Sequence, residues 1–229
     1  MIKPKLILVG EGAVGKSSII QQYIEKRFNE AYLITVGSDK SIKDLNINGK
    51  NIRLEIWDTA GQDKDRGVNK IFMKNTKIAL LVYDITDKKS FEQLNNWINP
   101  VNEANKNENI IFGIAANKSD LFETQVVSTE EGKKFAQEHN CLFFETSAKD
   151  YGSIEKAFYK LAEVYLEKID NKKTDINNNN NDININNNNQ THNNENDDNK
   201  TKINGFENEI DEKIVNKDNE CCSSKCFIF

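Results

Sequence analysis

The sequence predicts an α/β domain built on a six-stranded, mostly parallel sheet with one antiparallel strand and five helices. Three features carry that expectation. Short apolar runs alternate with segments of helical periodicity from Lys5 to about Glu167, the pattern of strand-helix-strand units whose right-handed crossovers leave their strands parallel. Two of the runs, Ile78 to Tyr83 and Ile110 to Ala116, are almost wholly apolar, as strands covered by helices on both faces must be. One pair, Asp39 to Ile47 and Asn51 to Trp57, instead alternates apolar with polar residues around Asn48-Gly49-Lys50. That turn signal makes a hairpin, and therefore one antiparallel strand.

The elements follow in order. Lys5 to Val9 is a strand that runs into a glycine-rich segment, and Lys16 to Lys26 carries Ile19, Ile20, Tyr23 and Ile24 at helical spacing. After the hairpin come the Ile78 strand, a helix over Ser90 to Asn105, the Ile110 strand and a helix over Thr129 to Glu138. A short strand at Cys141 to Phe144 and a helix over Ile154 to Glu167 complete the domain, which is assigned residues 1–170. In an open sheet of this kind ligands bind beyond the carboxyl ends of the strands, so the loops at that end are the place to look for chemistry.

Composition changes after residue 170. The stretch 171–220 is mostly Asn, Asp, Lys and Glu with scattered Ile. It offers too little apolar surface to offset the entropy of ordering it, so it reads as a disordered linker. Residues 221–229 form a cysteine-rich end. A net charge of −5 with no clustered basic face argues against nucleic acid as a partner. No apolar run nears the roughly 20 residues that span a bilayer, and the start lacks the layout of a secretory signal; a cytosolic protein is expected. Of four cysteines, Cys141 lies in an apolar run and is expected to be a buried, reduced core residue.

Gly10-Glu11-Gly12-Ala13-Val14-Gly15-Lys16-Ser17, followed by Ser18, matches the phosphate-loop pattern and falls between the first strand and the first helix. Glycines let the backbone fold tightly enough to aim successive N–H groups at phosphate oxygens, and the helix N-terminus adds partial positive charge. Lys16 supplies a point charge between the β- and γ-phosphates and the Ser17 hydroxyl a Mg²⁺ ligand. Asn117-Lys118-Ser119-Asp120 ends another strand at the same edge of the sheet. A carboxylate at Asp120 can accept from both N1–H and the 2-amino group of guanine, a pairing that adenine cannot offer. Asn117 is suited to N7 and to tying loops together, the Lys118 stem to covering a face of the base, and Ser147-Ala148-Lys149 to placing a backbone N–H on O6. In Trp57-Asp58-Thr59-Ala60-Gly61-Gln62, Asp58 is suited to hold Mg²⁺ through water and Gly61 to offer its N–H to the γ-phosphate. Gln62 has the donor and acceptor that positioning an attacking water requires.

With these motifs the chain resembles the Ras superfamily of small GTPases, and within it the Rab family, over Lys3 to about Lys168. The narrower likeness rests on Ile56 to Gln62, on Arg27-Phe28-Asn29-Glu30 and on Tyr83-Asp84-Ile85-Thr86. The resemblance implies the phosphate-loop NTPase G-domain fold, binding of GTP and GDP with Mg²⁺, and slow GTP hydrolysis that an activating protein accelerates. It places Phe28 against the guanine ring and Thr35 on Mg²⁺. Exchange factors, activating proteins, effectors on the switch surface and a prenyl-binding escort are the implied partners of a monomer. Two departures stand out: Lys40 and Asp65 occupy positions where Rab proteins usually carry an aromatic, so the effectors should differ from the common set. Trp57 and Phe72 still match apolar positions of that surface.

The last nine residues end Cys226-Phe227-Ile228-Phe229, a prenylation box whose terminal Phe favours geranylgeranyl. One lipid binds a membrane marginally, and the acidic tail supplies no basic patch. Cys221 and Cys222 are therefore the expected second signal, and the cytoplasmic face of a membrane with a cytosolic pool the expected location. The competing functions are a Ras-like signalling GTPase outside membrane traffic and a phosphate-loop phosphotransferase or ATPase. Asn117 to Asp120 speaks against the latter.

Overall fold

Alternation within β1 (Lys5–Val9) sets the layering of the molecule. Leu6 and Leu8 enter one core and Ile7 and Val9 the other, all four inaccessible to solvent. A strand buried on both faces needs a helical layer on each. The computed structural model describes residues 1–29, 38–59, 71–106 and 109–188, with side chains described up to Asn171 except at Ser38. The chain divides into the units Met1–Asn180 and Asn181–Phe229, and the sheet belongs to the first.

The sheet runs in the order β2-β3-β1-β4-β5-β6, where β2 is Ser38–Ile47, β3 Lys50–Thr59, β4 Ile78–Asp84, β5 Ile111–Asn117 and β6 Leu142–Glu145. Every neighbouring pair is parallel except β2 with β3, which are antiparallel. Their turn has Asn48 at φ 50° and Gly49 at φ 79°, the left-handed pair that a two-residue hairpin requires. On one face α1 (Lys16–Glu25) and α5 (Tyr151–Asn188) bury Ile19, Tyr23, Phe158 and Leu161 against Leu54, Ile56 and Leu80. The Tyr23 and Phe158 rings stack with centroids 4.2 Å apart. On the other, α2 (Lys88–Glu92), α3 (Asn95–Ala104), the turn between them and α4 (Thr129–Glu138) bring Leu94, Trp97, Val101 and Ala136 onto Ile7, Leu81 and Ile114. Five α-helices and a 3-10 helix, Ser119–Thr124, are thus present among the described residues. Residues 71–73 are also helical, at the edge of the described backbone.

Three expectations need correction. The helix expected over Ser90 to Asn105 is two helices, because the backbone tightens to i→i−3 bonds where Asn96 N donates to Gln93 O and Trp97 N to Leu94 O. That tighter turn brings both Leu94 and Trp97 under the sheet. The last helix does not stop at Glu167 but continues to Asn188. Among the described side chains, Leu166 is the last one buried. From there to Asn188 neither Gly nor Pro interrupts the helix, so propagation adds one bond per residue despite the weak helix propensity of Asn. Beside the body of the fold, Lys168 Nζ donates to Asn109 O and Asp170 pairs with Lys50. Cys141 is half-buried rather than core, since it sits in the connection just before β6 with its thiol donating to His139 O at 3.4 Å. Burial still pushes that thiol up to about 11. Among the described residues no helix is long and apolar enough to cross a membrane.

Candidate nucleotide site

The ends of β1, β3, β5 and β6 bring their loops to one edge of the sheet, and β1 supplies the tightest of them. Gly10 takes φ 147° and Gly15 φ 97°. A Cβ on Gly10 would lie 2.2 Å from Val82 O, and one on Gly15 2.4 Å from Asn117 Nδ2. The first contact keeps the loop against β4 and the second against the end of β5. Ala13 adopts φ 63°, a left-handed conformation that costs a residue with a Cβ about 1 kcal/mol or more; with Gly12 it is exposed at the mouth of the loop. Gly15 is also the N-cap of α1, with no side-chain acceptor to close the helix start.

Lys16 is buried, and its ammonium donates to Gly10 O and Glu11 O, each at 2.8 Å. Burial lowers its pKa to about 8, against the opposing pull of the Asp58 and Glu11 carboxylates. A buried cation folded back onto backbone carbonyls is a good fit for a multiply charged anion arriving at the loop. Ser17 Oγ donates to Asp58 Oδ2 at 2.5 Å, so two hard oxygen donors already face one another, the donor set that Mg²⁺ prefers. Thr59 fixes the end of β3 by donating its hydroxyl to Leu8 O at 2.6 Å.

At the other end of the edge Asn117 is fully buried, donating through Nδ2 to Val14 O at 2.8 Å and accepting from Thr146 Oγ1 at 3.2 Å. One amide therefore joins the phosphate loop, β5 and the segment after β6. Asp120 Oδ1 accepts from Ser147 Oγ at 2.6 Å, and Oδ2 lies 3.3 Å from Lys149 Nζ. Burial alone would raise the Asp120 pKa; the hydrogen bonds from Ser147 and Lys149 outweigh it and hold the carboxyl below its ordinary value. It is ionised and ready to accept. Of the amides in the Ser147-Ala148-Lys149 turn, that of Ser147 goes to Ser153 Oγ and that of Lys149 to Ser147 Oγ. The Ala148 N–H is the one left to a ligand. Lys149 Nζ stands 5.6 Å from the Phe28 ring centroid, bringing the implied base contact alongside Asp120.

Thr35, Gly61 and Gln62, and the cysteines Cys221, Cys222 and Cys226, lie outside the described residues. Of the departures, Lys40 is seen: its ammonium pairs with Glu55 at 2.9 Å and lies 5.7 Å from the Trp57 ring, which also has Lys5 at 4.6 Å and the Phe72 ring at 6.3 Å. Sequence reasoning missed two contacts at the site. Trp97 Nε1 donates to Glu11 Oε1 at 3.3 Å, and Lys118 Nζ pairs with Asp84 Oδ2 at 2.5 Å. The only available signal for the second was that Asp84 and Asn117 both close apolar strands.

The Ras family model matches residues 5–167. Ras-related protein SEC4 of Saccharomyces cerevisiae is 37% identical over 169 residues, covering 74% of this chain and 78% of that protein. Ras-related protein Rab-2B of Dictyostelium discoideum is 40% identical over 167 residues, covering 73% of this chain and 82% of its own. With the phosphate loop, the Ser17–Asp58 pair and the Asp120–Ser147 cluster at one edge of a G-domain sheet, the chain belongs to the Ras family of small GTPases, in its Rab branch.

Proposed function

We propose that the chain is a membrane-attached guanine-nucleotide switch that regulates vesicle traffic, engaging effectors with GTP bound and releasing them with GDP. The observation that supports this best is the convergence of a buried lysine, an oxygen pair and an ionised Asp120 at the ends of four strands. Lys16 and the Gly10 to Ser18 backbone hold the phosphates, and Ser17, Asp58 and Thr35 hold Mg²⁺. Mg²⁺ bound there neutralises charge on the phosphates. Asn117, Lys118, Asp120, Ala148 and Phe28 hold the base. Gln62 orients the attacking water, and Gly61 offers its N–H to the γ-phosphate. Residues 1–170 form the nucleotide domain, and the sequence beyond it connects to a C-terminus that carries geranylgeranyl on Cys226 and a second lipid on Cys221 or Cys222.

Exchange factors, activating proteins and a prenyl-binding escort complete the cycle, and Lys40 in place of an aromatic selects effectors outside the common set. Labelled GDP uptake by the purified full-length protein tests the base and metal assignments. Uptake should be tight, lost on chelation of Mg²⁺, and competed by GTP but not by ATP; competition by ATP would sink the guanine reading. Imaging the tagged protein with Cys226→Ser tests the lipid anchor, since the wild type should mark membranes and the variant should not.

A further inference from the structure

Tyr83-Asp84-Ile85-Thr86 belongs to the resemblance but has no assigned task, and its geometry supplies one. Asp84 is the last residue of β4 and pairs in register with Asn117, the last residue of β5. Its carboxylate is nearly buried, 7% of the residue being exposed. One oxygen is committed locally: Oδ1 accepts from Thr86 N at 2.9 Å and from Thr86 Oγ1 at 2.7 Å. With that oxygen fixed, the other is turned to the Lys118 ammonium at 2.5 Å.

Lys118 itself is held in an uncommon shape. It adopts φ 63°, a left-handed conformation that disfavours residues with a Cβ, closed by Leu121 N donating to Lys118 O at 2.8 Å. Its long stem would otherwise move through many rotamers, and fixing such a chain costs side-chain entropy. A nearly buried carboxylate with one free oxygen offsets that cost before any ligand arrives. The same pair serves the carboxylate, because a buried charge needs a partner.

We infer that Asp84, fixed by Thr86, is a positioning residue that holds Lys118 across the guanine face and thereby sets how long the nucleotide stays bound. This rests on the reading of Lys118 as the residue that covers the base. Neither Asp84 nor Thr86 touches the nucleotide in this scheme. Their effect passes wholly through Lys118, and that is what makes it measurable.

The experiment is the rate of release of fluorescent GDP from the full-length protein, in excess Mg²⁺ and again after chelation. Asp84→Asn keeps the shape and loses the charge, and release should be faster by on the order of tenfold. Thr86→Val removes only the hydroxyl bond, and a change of about threefold in the same direction is expected; it keeps the test open should Asp84→Asn fold poorly. Lys118→Ala should be faster still, and Asp84→Asn added to it should do nothing more. Chelation should accelerate every variant by the same factor, because the change lies on the base side. Rates that multiply in the double variant would show that Asp84 acts through the strand and overturn the inference. So would Asp84→Asn and Thr86→Val at the wild-type rate alongside a fast Lys118→Ala. A wild-type rate for Lys118→Ala would instead remove the base-covering reading beneath it.

Discussion

Gly15→Ala tests the link between the two halves of the site. The Cβ it introduces would lie 2.4 Å from Asn117 Nδ2, so the amide must retreat by roughly 1 Å to reach ordinary contact. Asn117 has nowhere to go: it is fully buried, and its amide nitrogen is spent on Val14 O at 2.8 Å. Breaking that bond strands a buried carbonyl, which costs about 1 to 3 kcal/mol. Holding alanine at φ 97° adds about 1 to 2 kcal/mol. Together these come to about 2 to 5 kcal/mol, or roughly 30- to several-thousand-fold in an equilibrium constant. These contacts are already made without nucleotide, and Asn117 faces both the loop and the base, so the loss should be shared between a lower melting temperature of the nucleotide-free protein and weaker GDP binding. Titration calorimetry with GDP and a thermal melt of the same samples separate the two. GDP affinity within threefold of wild type would show that the loop and the base motif are not coupled through this amide.

Asp120→Asn removes the ionised acceptor while leaving its shape, so GDP affinity should fall by about 3 kcal/mol or more, two charge-assisted bonds being lost. Xanthosine diphosphate, whose 2-oxo group needs a donor, should bind the variant better than the wild type; fluorescence competition with both nucleotides reads this. The Lys16 pKa, lowered to about 8 from 10.5, makes two further outcomes measurable. The unfolded chain holds the extra proton between those values, so the nucleotide-free protein should gain stability as pH rises from about 8 towards 10.5. Phosphate binding restores the charged form, so GDP binding near pH 9 should take up a proton, seen as a dependence of binding heat on buffer ionisation. Its absence in the wild type would remove the buried-cation account. Ser128 and Glu131 form a reciprocal cap at the start of α4. Ser128→Ala should cost about 1 kcal/mol, a few degrees in melting temperature, with nucleotide affinity unchanged.

What could be seen in the sequence, and what could not, divides along a physical line. The strands were legible because their apolar runs state burial directly: Ile78 to Tyr83 and the observed β4 differ by one residue. The hairpin was legible from Asn48-Gly49, since few sequences accept two left-handed residues in succession. The phosphate loop, Asp58 and the Asn117 and Ser147 motifs could be named because each is local, its glycines and polar side chains lying within a few residues of one another. The splitting of α2 from α3 was not legible, because Leu94 and Trp97 satisfy a single helical period as well as two tightened turns. Nor was the pairing of Asp84 with Lys118 or of Glu11 with Trp97, which join residues far apart in the chain. Such contacts depend on the register of parallel strands: Asp84 meets the Asn117 strand end only because β4 and β5 are matched residue for residue from Ile78 and Ile111 onward. A slip of one residue would turn every side chain of one strand to the opposite face. The groups that would touch the nucleotide can therefore be read from local sequence, whereas the groups that hold them in place become visible only once the sheet has fixed its register.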